Sequence, residues 1–277
     1  MTLDQYSTAH GKYTVEHLES TRAAKLPPLN VFRAVLGELL ELTEKHVDLL
    51  DCGCGTSFFA RQYARLPGVS VTGIDLDALL LNAARELARQ EGLPIHFEPG
   101  DITALPFPDG SFDAVTSDIL LEIFPDKTLP IGEMTRVCKP GGRILCIEPN
   151  YQSTVYYDPR LSPEDNQLWC EYHRLGRAFG AGVELPDVMR RVGLEDIQLV
   201  PWLWGGLGSS GVVSAETFLR EQNAGLERGL ELGVLSQKEA DAYRTLFRRT
   251  AALRDEALVL SGIDLYLVCG RKSKASV

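Results

Sequence analysis

Leu49-Leu50-Asp51-Cys52-Gly53-Cys54-Gly55-Thr56-Ser57 reads as the end of a buried strand running into a glycine-rich turn. Glycines at alternate positions let a backbone bend sharply and bring its N–H groups close to a ligand. Alone, such a turn suits dinucleotide folds and plain loops as well. The surrounding hundred residues narrow the choice. From Val47 to Pro149 short apolar runs alternate with amphipathic stretches, the pattern of βαβ units on a parallel sheet. Strands are expected at Val47–Cys52, Val69–Ile74, Ile95–Glu98, Phe112–Ser117 and Arg143–Glu148. Helices are expected at Phe58–Leu66, after an Asp77 cap, and at Lys127–Lys139, where Pro140-Gly141-Gly142 stops the last.

Outside this stretch the pattern changes. Pro28–Lys45 carries Val31, Val35, Leu39, Leu40 and Leu42 on a helical period. Beyond Pro149, helices are expected at Pro163–Phe179, Leu185–Val192, Ser214–Leu230 and Ser236–Leu260. Strands are expected near Ile197–Leu203 and at Ile263–Cys269, and a frayed polar tail at Arg271–Val277.

Four acidic positions fall where open α/β sheets bind their ligands, at the C-terminal ends of successive strands. Asp51 precedes the glycine turn. Asp75 ends the second strand, about twenty residues on, where an acid accepts hydrogen bonds from ribose hydroxyls. Asp77 is the better helix cap, which leaves Asp75 available. Asp101, in Gly100-Asp101-Ile102, is placed to accept from an adenine amine, with Ile102 packing on the ring; a plain turn residue is the alternative. Ser117-Asp118 ends the fourth strand, and capping is an equal alternative for Asp118. A dinucleotide would bring a pyrophosphate into this ring of carboxylates and be repelled. S-adenosylmethionine has no phosphate and carries an ammonium and a sulfonium, so an acidic crevice suits it better.

These motifs resemble the class I S-adenosylmethionine-dependent methyltransferases, in particular the small-molecule branch with the ubiquinone and menaquinone C-methyltransferases. The resemblance is carried by Leu49–Gly55, Val71–Asp75, Gly100-Asp101 with Leu105-Pro106-Phe107, Ser111-Phe112-Asp113, and Arg136–Gly142, and it covers Val47–Pro149. It implies a Rossmann-like, mostly parallel seven-stranded sheet flanked by helices. An N-terminal helical lid (residues 1–46), a donor-binding core (47–149) and a completion of the sheet with helical acceptor-binding insertions (150–277) would form one structural domain. Gly53 and Gly55 would contact the methionine moiety, Asp75 the ribose, Asp101 the adenine amine, and Ser117 would lie near the methionyl end. The full set expected to border the donor is Tyr13, Asp51, Gly53, Cys54, Gly55, Asp75, Leu76, Asp101, Ile102, Ser117 and Asp118. Two departures stand out. Ser57 occupies a position that often holds a third glycine, and Ile119-Leu120-Leu121-Glu122-Ile123 stands where relatives often place histidines.

Methyl transfer from a sulfonium needs alignment and water exclusion more than it needs a signature base. His173, Tyr172 and Glu148 are the side chains available as a base, each with a structural alternative. Tyr6, His10 and Tyr13 belong to the lid. Tyr151, Tyr156, Tyr157, Trp169, Trp202 and Trp204 would line an apolar acceptor pocket or form the core of a helical cap.

The chain has 277 residues and a net charge of −10, which disfavours nucleic acid as a partner. No apolar run approaches the roughly 20 residues of a membrane span, and no apolar signal core opens the chain. Six scattered cysteines read as reduced thiols, and a cytoplasmic address follows. Cys52-x-Cys54 has no second pair, so no metal site is expected. A nicotinamide-dependent oxidoreductase and a non-catalytic S-adenosylmethionine-binding sensor are the rival readings.

Overall fold

Apolar strands that must bury both faces can do so only in a sheet sandwiched by helices. The computed structural model, which describes residues 19, 29–42, 45–174, 181–209, 215–231, 233, 235–253 and 258–274, has that form. Its elements are α1 (Leu29–Leu39), β1 (Val47–Cys52), α2 (Phe58–Tyr63), β2 (Val69–Asp75), α3 (Ala78–Gln90), β3 (His96–Pro99) and β4 (Phe112–Asp118). Then come a 3-10 turn (Leu121–Ile123), α4 (Thr128–Val137), β5 (Cys138–Tyr157), α5 (Pro163–Arg174) and α6 (Ala181–Arg191). β6 (Leu194–Ser209), α7 (Ala215–Glu231), α8 (Gln237–Ala252) and β7 (Leu258–Lys272) complete the chain. The seven strands run in the order β3-β2-β1-β4-β5-β7-β6. The pairs β1–β2, β1–β4, β2–β3 and β4–β5 are parallel. The order reverses between β1 and β4, which opens a crevice at their C-terminal ends.

The residues group into two compact units: 1–149 with 181–202 and 265–277, and 150–180 with 203–264. In the first, Leu50, Ile74, Val115, Ile144 and Cys146 from adjacent strands pack with Ile131, Met134 and Val137 of α4 and Val188 and Met189 of α6. Asp77 caps α3 as expected, accepting from the N–H groups of Leu79 (2.8 Å) and Leu80 (3.2 Å). Arg143 of β5 is buried and pairs with Glu41 and with Asp196 at 2.8 Å, and Arg271 joins the same two carboxylates. The second unit is helical around an aromatic core. Trp169 sits among Tyr156, Phe218 and Phe247, and its indole N–H donates to Thr250 Oγ1 at 2.9 Å.

Several expectations need correction. β5 is not the short Arg143–Glu148 strand; it starts at Cys138, directly after α4, and continues to Tyr157. Gly142 explains the start, because a Cβ there would lie 2.5 Å from the Asp113 carbonyl, so only glycine lets β5 run beside β4. The expected helix Ser236–Leu260 ends at Ala252, and Leu258–Leu260 opens β7. A short apolar run carries no period long enough to tell helix from strand. Arg271 and Lys272 belong to β7 rather than a frayed tail; Lys272 Nζ donates to the carbonyls of Arg136 (3.2 Å) and Cys138 (2.8 Å). In α1, which ends at Leu39 rather than Lys45, Val31 is 47% exposed while Phe32 is buried, so the apolar face is rotated from the expected one. Among the described residues no helix is long and apolar enough to cross a membrane, and no cluster of side chains could hold a metal ion.

Candidate functional site

β1 delivers the chain into the crevice, and three of the next five residues bend left-handed: Gly53 (φ 70°), Gly55 (φ 53°) and Ser57 (φ 66°). Ser57 therefore adopts the conformation that a third glycine would take freely, a rare and costly one for a residue with a Cβ. The turn is tied to β2 twice. The Cys54 N–H donates to the Ile74 carbonyl (2.8 Å), and the Gly55 N–H donates to Asp75 Oδ2 (2.8 Å). Room for the turn comes from Gly73, where a Cβ would stand 2.9 Å from the Phe97 ring and 3.0 Å from Cys54 Sγ.

Asp75 is engaged by the backbone of the turn and of β2's end. Asp77 caps α3, yet Asp75 also accepts two backbone N–H groups, from Gly55 and, on Oδ1, from Asp77 (2.8 Å). Burial pushes its pKa up, against the pull of those bonds. A carboxylate held this way stiffens the turn and still has lone pairs for a ligand. Leu76, next in the chain, is 55% exposed, an apolar surface beside the turn.

A second polar group lies buried at the heads of β1 and β4. Asp51 and Asp118 are both nearly inaccessible. Thr116, opposite Asp51 in the β1–β4 register, has its hydroxyl 3.4 Å from Asp51 Oδ1. The Tyr63 hydroxyl of α2 donates to Asp118 (3.0 and 3.1 Å to its two oxygens). Burial and the two carboxylates push the Tyr63 pKa well up, so the phenol stays protonated as a donor. Nothing in the sequence pattern marked Tyr63. Ser117, next to Asp118, and Ser57 are fully buried, and neither hydroxyl has a hydrogen-bond partner among the described residues.

Asp101 is folded into its own turn. Its Oδ1 accepts from the Thr103 N–H (2.8 Å) and hydroxyl (2.7 Å), and Ile102 is buried with Ile74 and Leu105. The turn-residue alternative accounts for these hydrogen bonds. The Thr56 hydroxyl donates to Glu19 Oε1 (2.6 Å), and Arg61 of α2 pairs with Glu19 and Glu91. Glu19 was not foreseen; it lies in polar sequence without a signal of its own. Tyr6, His10 and Tyr13 lie outside the described residues, as does the side chain of His173.

Glu148, a candidate base, is fully buried and committed elsewhere. Its Oε1 accepts the N–H groups of Leu120 (2.9 Å) and Leu121 (2.7 Å), and Oε2 that of Glu122 (3.3 Å). Burial, aided by Glu122, pushes its pKa up to about 8. Tyr172 is also structural: its ring packs on Trp169, Tyr243 and Phe247, and its hydroxyl donates to the Gln222 carbonyl at 3.5 Å. Tyr156 and Trp169 likewise form the core of the helical unit rather than a pocket wall. Trp202 packs edge-on against Phe32 of α1. All six cysteines are free thiols, and burial raises the pKa of Cys52 and Cys54, so neither is a reactive thiolate.

Comparison with known proteins agrees with this arrangement. Residues 50–146 match a family model described as a methyltransferase domain. Demethylmenaquinone methyltransferase of Deinococcus radiodurans is 41% identical over 117 residues, which is 42% of this chain but about half, 48%, of that relative's length. Malonyl-[acyl-carrier protein] O-methyltransferase of Erwinia pyrifoliae is 40% identical over 206 residues, 73% of this chain and 72% of the relative. Among solved structures, phosphoethanolamine N-methyltransferase 2 of Haemonchus contortus with S-adenosyl-L-methionine superposes with a TM-score of 0.51 at 21% identity, covering 88% of this chain and 52% of that one. That likeness concerns the fold. With the glycine turn, the acid closing β2 and the strand order all in place, the sequence relatives decide the family: this chain belongs to the class I S-adenosylmethionine-dependent methyltransferases.

Proposed function

We propose that this chain transfers a methyl group from S-adenosylmethionine to a small-molecule acceptor. The observation that carries the reading is the left-handed turn Gly53–Ser57, pinned by Asp75 at the point where the strand order reverses. The residues fit the donor. Gly53 and Gly55, with Cys54 between them, would hold its methionyl part, Asp75 the ribose, Leu76 a face of the adenine, and Asp101 with Ile102 its edge. The unpartnered hydroxyls of Ser57 and Ser117 suit a ligand rich in polar groups. Buried carboxylates at Asp51 and Asp118, with half-buried Asp75, favour a cation over a pyrophosphate, which weighs against a nicotinamide dinucleotide.

When bound, the donor supplies a methyl group on a sulfonium, already an activated leaving group. The chain's own work is to orient and to keep water out. The turn and Asp75 fix the donor's place, and Tyr63 holds Asp118 by a hydrogen bond that needs no proton transfer. Glu148 serves a backbone turn and is withdrawn from the choice of base. His173 remains a candidate by position in α5, and Tyr13, in the segment read as a lid, would border the donor.

The domain reading is proposed with it: a lid in 1–46, a donor core in 47–149, and the acceptor side in 150–277. The relatives' names pair a quinone precursor with a malonyl carrier, so what they share is the donor chemistry. A net charge of −10 disfavours nucleic acid as acceptor, and six free thiols suit the cytoplasm. Titration calorimetry tests the donor reading. Micromolar or tighter binding of S-adenosylhomocysteine, with none of NAD(H), is the expected result. The opposite pattern would replace methyl transfer with nicotinamide-dependent redox chemistry. Donor binding without methyl transfer across a broad acceptor screen would favour a sensor.

A further inference from the structure

The crossover after β4 contains a residue that should not bend as it does. Ile119 has φ 54°, and a β-branched side chain in the left-handed region is a genuine outlier. Such strain, on the order of 1–3 kcal/mol, persists only where the surroundings over-determine it. Here two partners do so. The Ile119 N–H donates to the Ile147 carbonyl (2.8 Å). One residue further along β5, Glu148 gathers the next three N–H groups, those of Leu120, Leu121 and Glu122.

The bend has a consequence at the glycine turn. It lays the Leu120 side chain on Gly53 so closely that a Cβ at Gly53 would overlap the Leu120 methyl, with Leu120 Cγ only 3.1 Å away. Gly53 needs glycine for its positive φ, and the Leu120 side chain lies directly against it.

We propose that Glu148 is a positioning residue for the donor pocket: by accepting the N–H groups of residues 120–122 it holds the Ile119 bend that presses Leu120 against Gly53. The inference rests on the donor reading above. Oε1 takes the two short bonds, and the 3.3 Å contact falls to Oε2. The groups facing Glu148 are Glu122 on the 3-10 turn and Cys146 on its own strand, with Asp118 at the end of β4 acting on the same thiol. None is a cation, which agrees with a carboxyl that keeps its proton. Glutamine keeps the two short bonds through its amide oxygen and gives up only the long 3.3 Å contact, so it should replace Glu148 with little loss.

The test is a double-mutant cycle read by S-adenosylhomocysteine calorimetry, with amide hydrogen exchange as a second readout. Glu148→Ala should weaken binding roughly tenfold, the size of a lost interaction of about 1.4 kcal/mol, and should speed exchange at residues 120–122. Leu120→Ala should weaken binding by a similar factor, the double variant should be no worse than Glu148→Ala alone, and Glu148→Gln should bind like the unaltered chain. Two results would overturn the inference alone: unchanged affinity in Glu148→Ala with exchange at 120–122 accelerated, or losses that simply add in the double variant. Failure of the unaltered chain to bind S-adenosylhomocysteine would overturn the donor reading and the inference with it. Should Glu148→Ala not fold, Glu148→Gln and Leu120→Ala decide: a tenfold loss in the leucine variant with none in the glutamine variant supports the inference, and the reverse overturns it.

Discussion

The heads of β1 and β4 and the helical unit around Trp169 bury side chains of opposite character. At the strand heads, Asp51, Asp118, Ser57, Ser117 and Thr116 are all sealed from solvent, and Ser57 bends against its preference. Around Trp169 the cluster is rings and aliphatic chains, and the polar side chains buried in the same unit, among them Asp158, Asn166 and Thr250, have hydrogen-bond partners. Burying polar groups costs free energy unless they are paired, so a fold retains such a region only where something other than stability selects it. The aromatic unit shows no such cost. Its residues are explained by packing alone, which is why its rings proved poor indicators of a pocket.

That contrast can be broken by substitution, since each region should fail in its own way. The largest effect is expected from Trp169→Ala, which removes a core ring and leaves Thr250 Oγ1 without its indole donor; denaturant unfolding should show a loss of about 3–5 kcal/mol. Affinity for S-adenosylhomocysteine should be unchanged in the folded protein, and a large loss of affinity would dissolve the distinction. Gly53→Val should do the reverse. Its left-handed backbone and the overlap with Leu120 together amount to about 3 kcal/mol, so affinity should fall by ~100-fold with the Trp169 unit intact.

Asp75→Asn comes next. One of its two backbone bonds would meet an amide donor instead of an acceptor, at about 2 kcal/mol, and affinity should drop roughly 30-fold. The smallest effect is one of pH. Because burial raises the Glu148 pKa to about 8, the folded chain keeps a proton that the unfolded chain has already released. The stability from this group is fully present below the unfolded pKa and is lost as pH rises toward the folded one. Between pH 7 and 9 the unfolded state gains about one pH unit more from deprotonation than the folded state, so unfolding free energy should fall by about 1.4 kcal/mol. Chemical denaturation of the unaltered chain and of Glu148→Gln at both pH values would isolate it as the difference in slope, because the buried thiols Cys52 and Cys54 contribute a fall of the same sign.

Much of the first region was legible because its signals are local. The glycine spacing, the first four apolar strands and the Asp77 cap each act within a few residues, and all appear in the structure at or within about two residues of the expected boundary. Asp75 was legible in place but not in partners, since its bond to Gly55 joins residues from two strands. Glu148 stayed open between base and structural acid, because a buried acid and an exposed one look alike in one dimension. Tyr63 and Glu19 gave no signal, as each acquires its role only through groups distant in sequence. The reach of β5 to Tyr157 and the start of β7 at Leu258 were missed because neighbouring strands, not propensity, decide where a short apolar run pairs.

The sequence by itself determined the alternation of strand and helix, the glycine turn and the acids beyond it, because period, turn chemistry and capping are properties of adjacent residues. Only the tertiary structure decided which carboxyl group serves a ligand and which serves the backbone. That distinction depends on burial and on N–H groups brought from other strands, and neither exists until the sheet has formed.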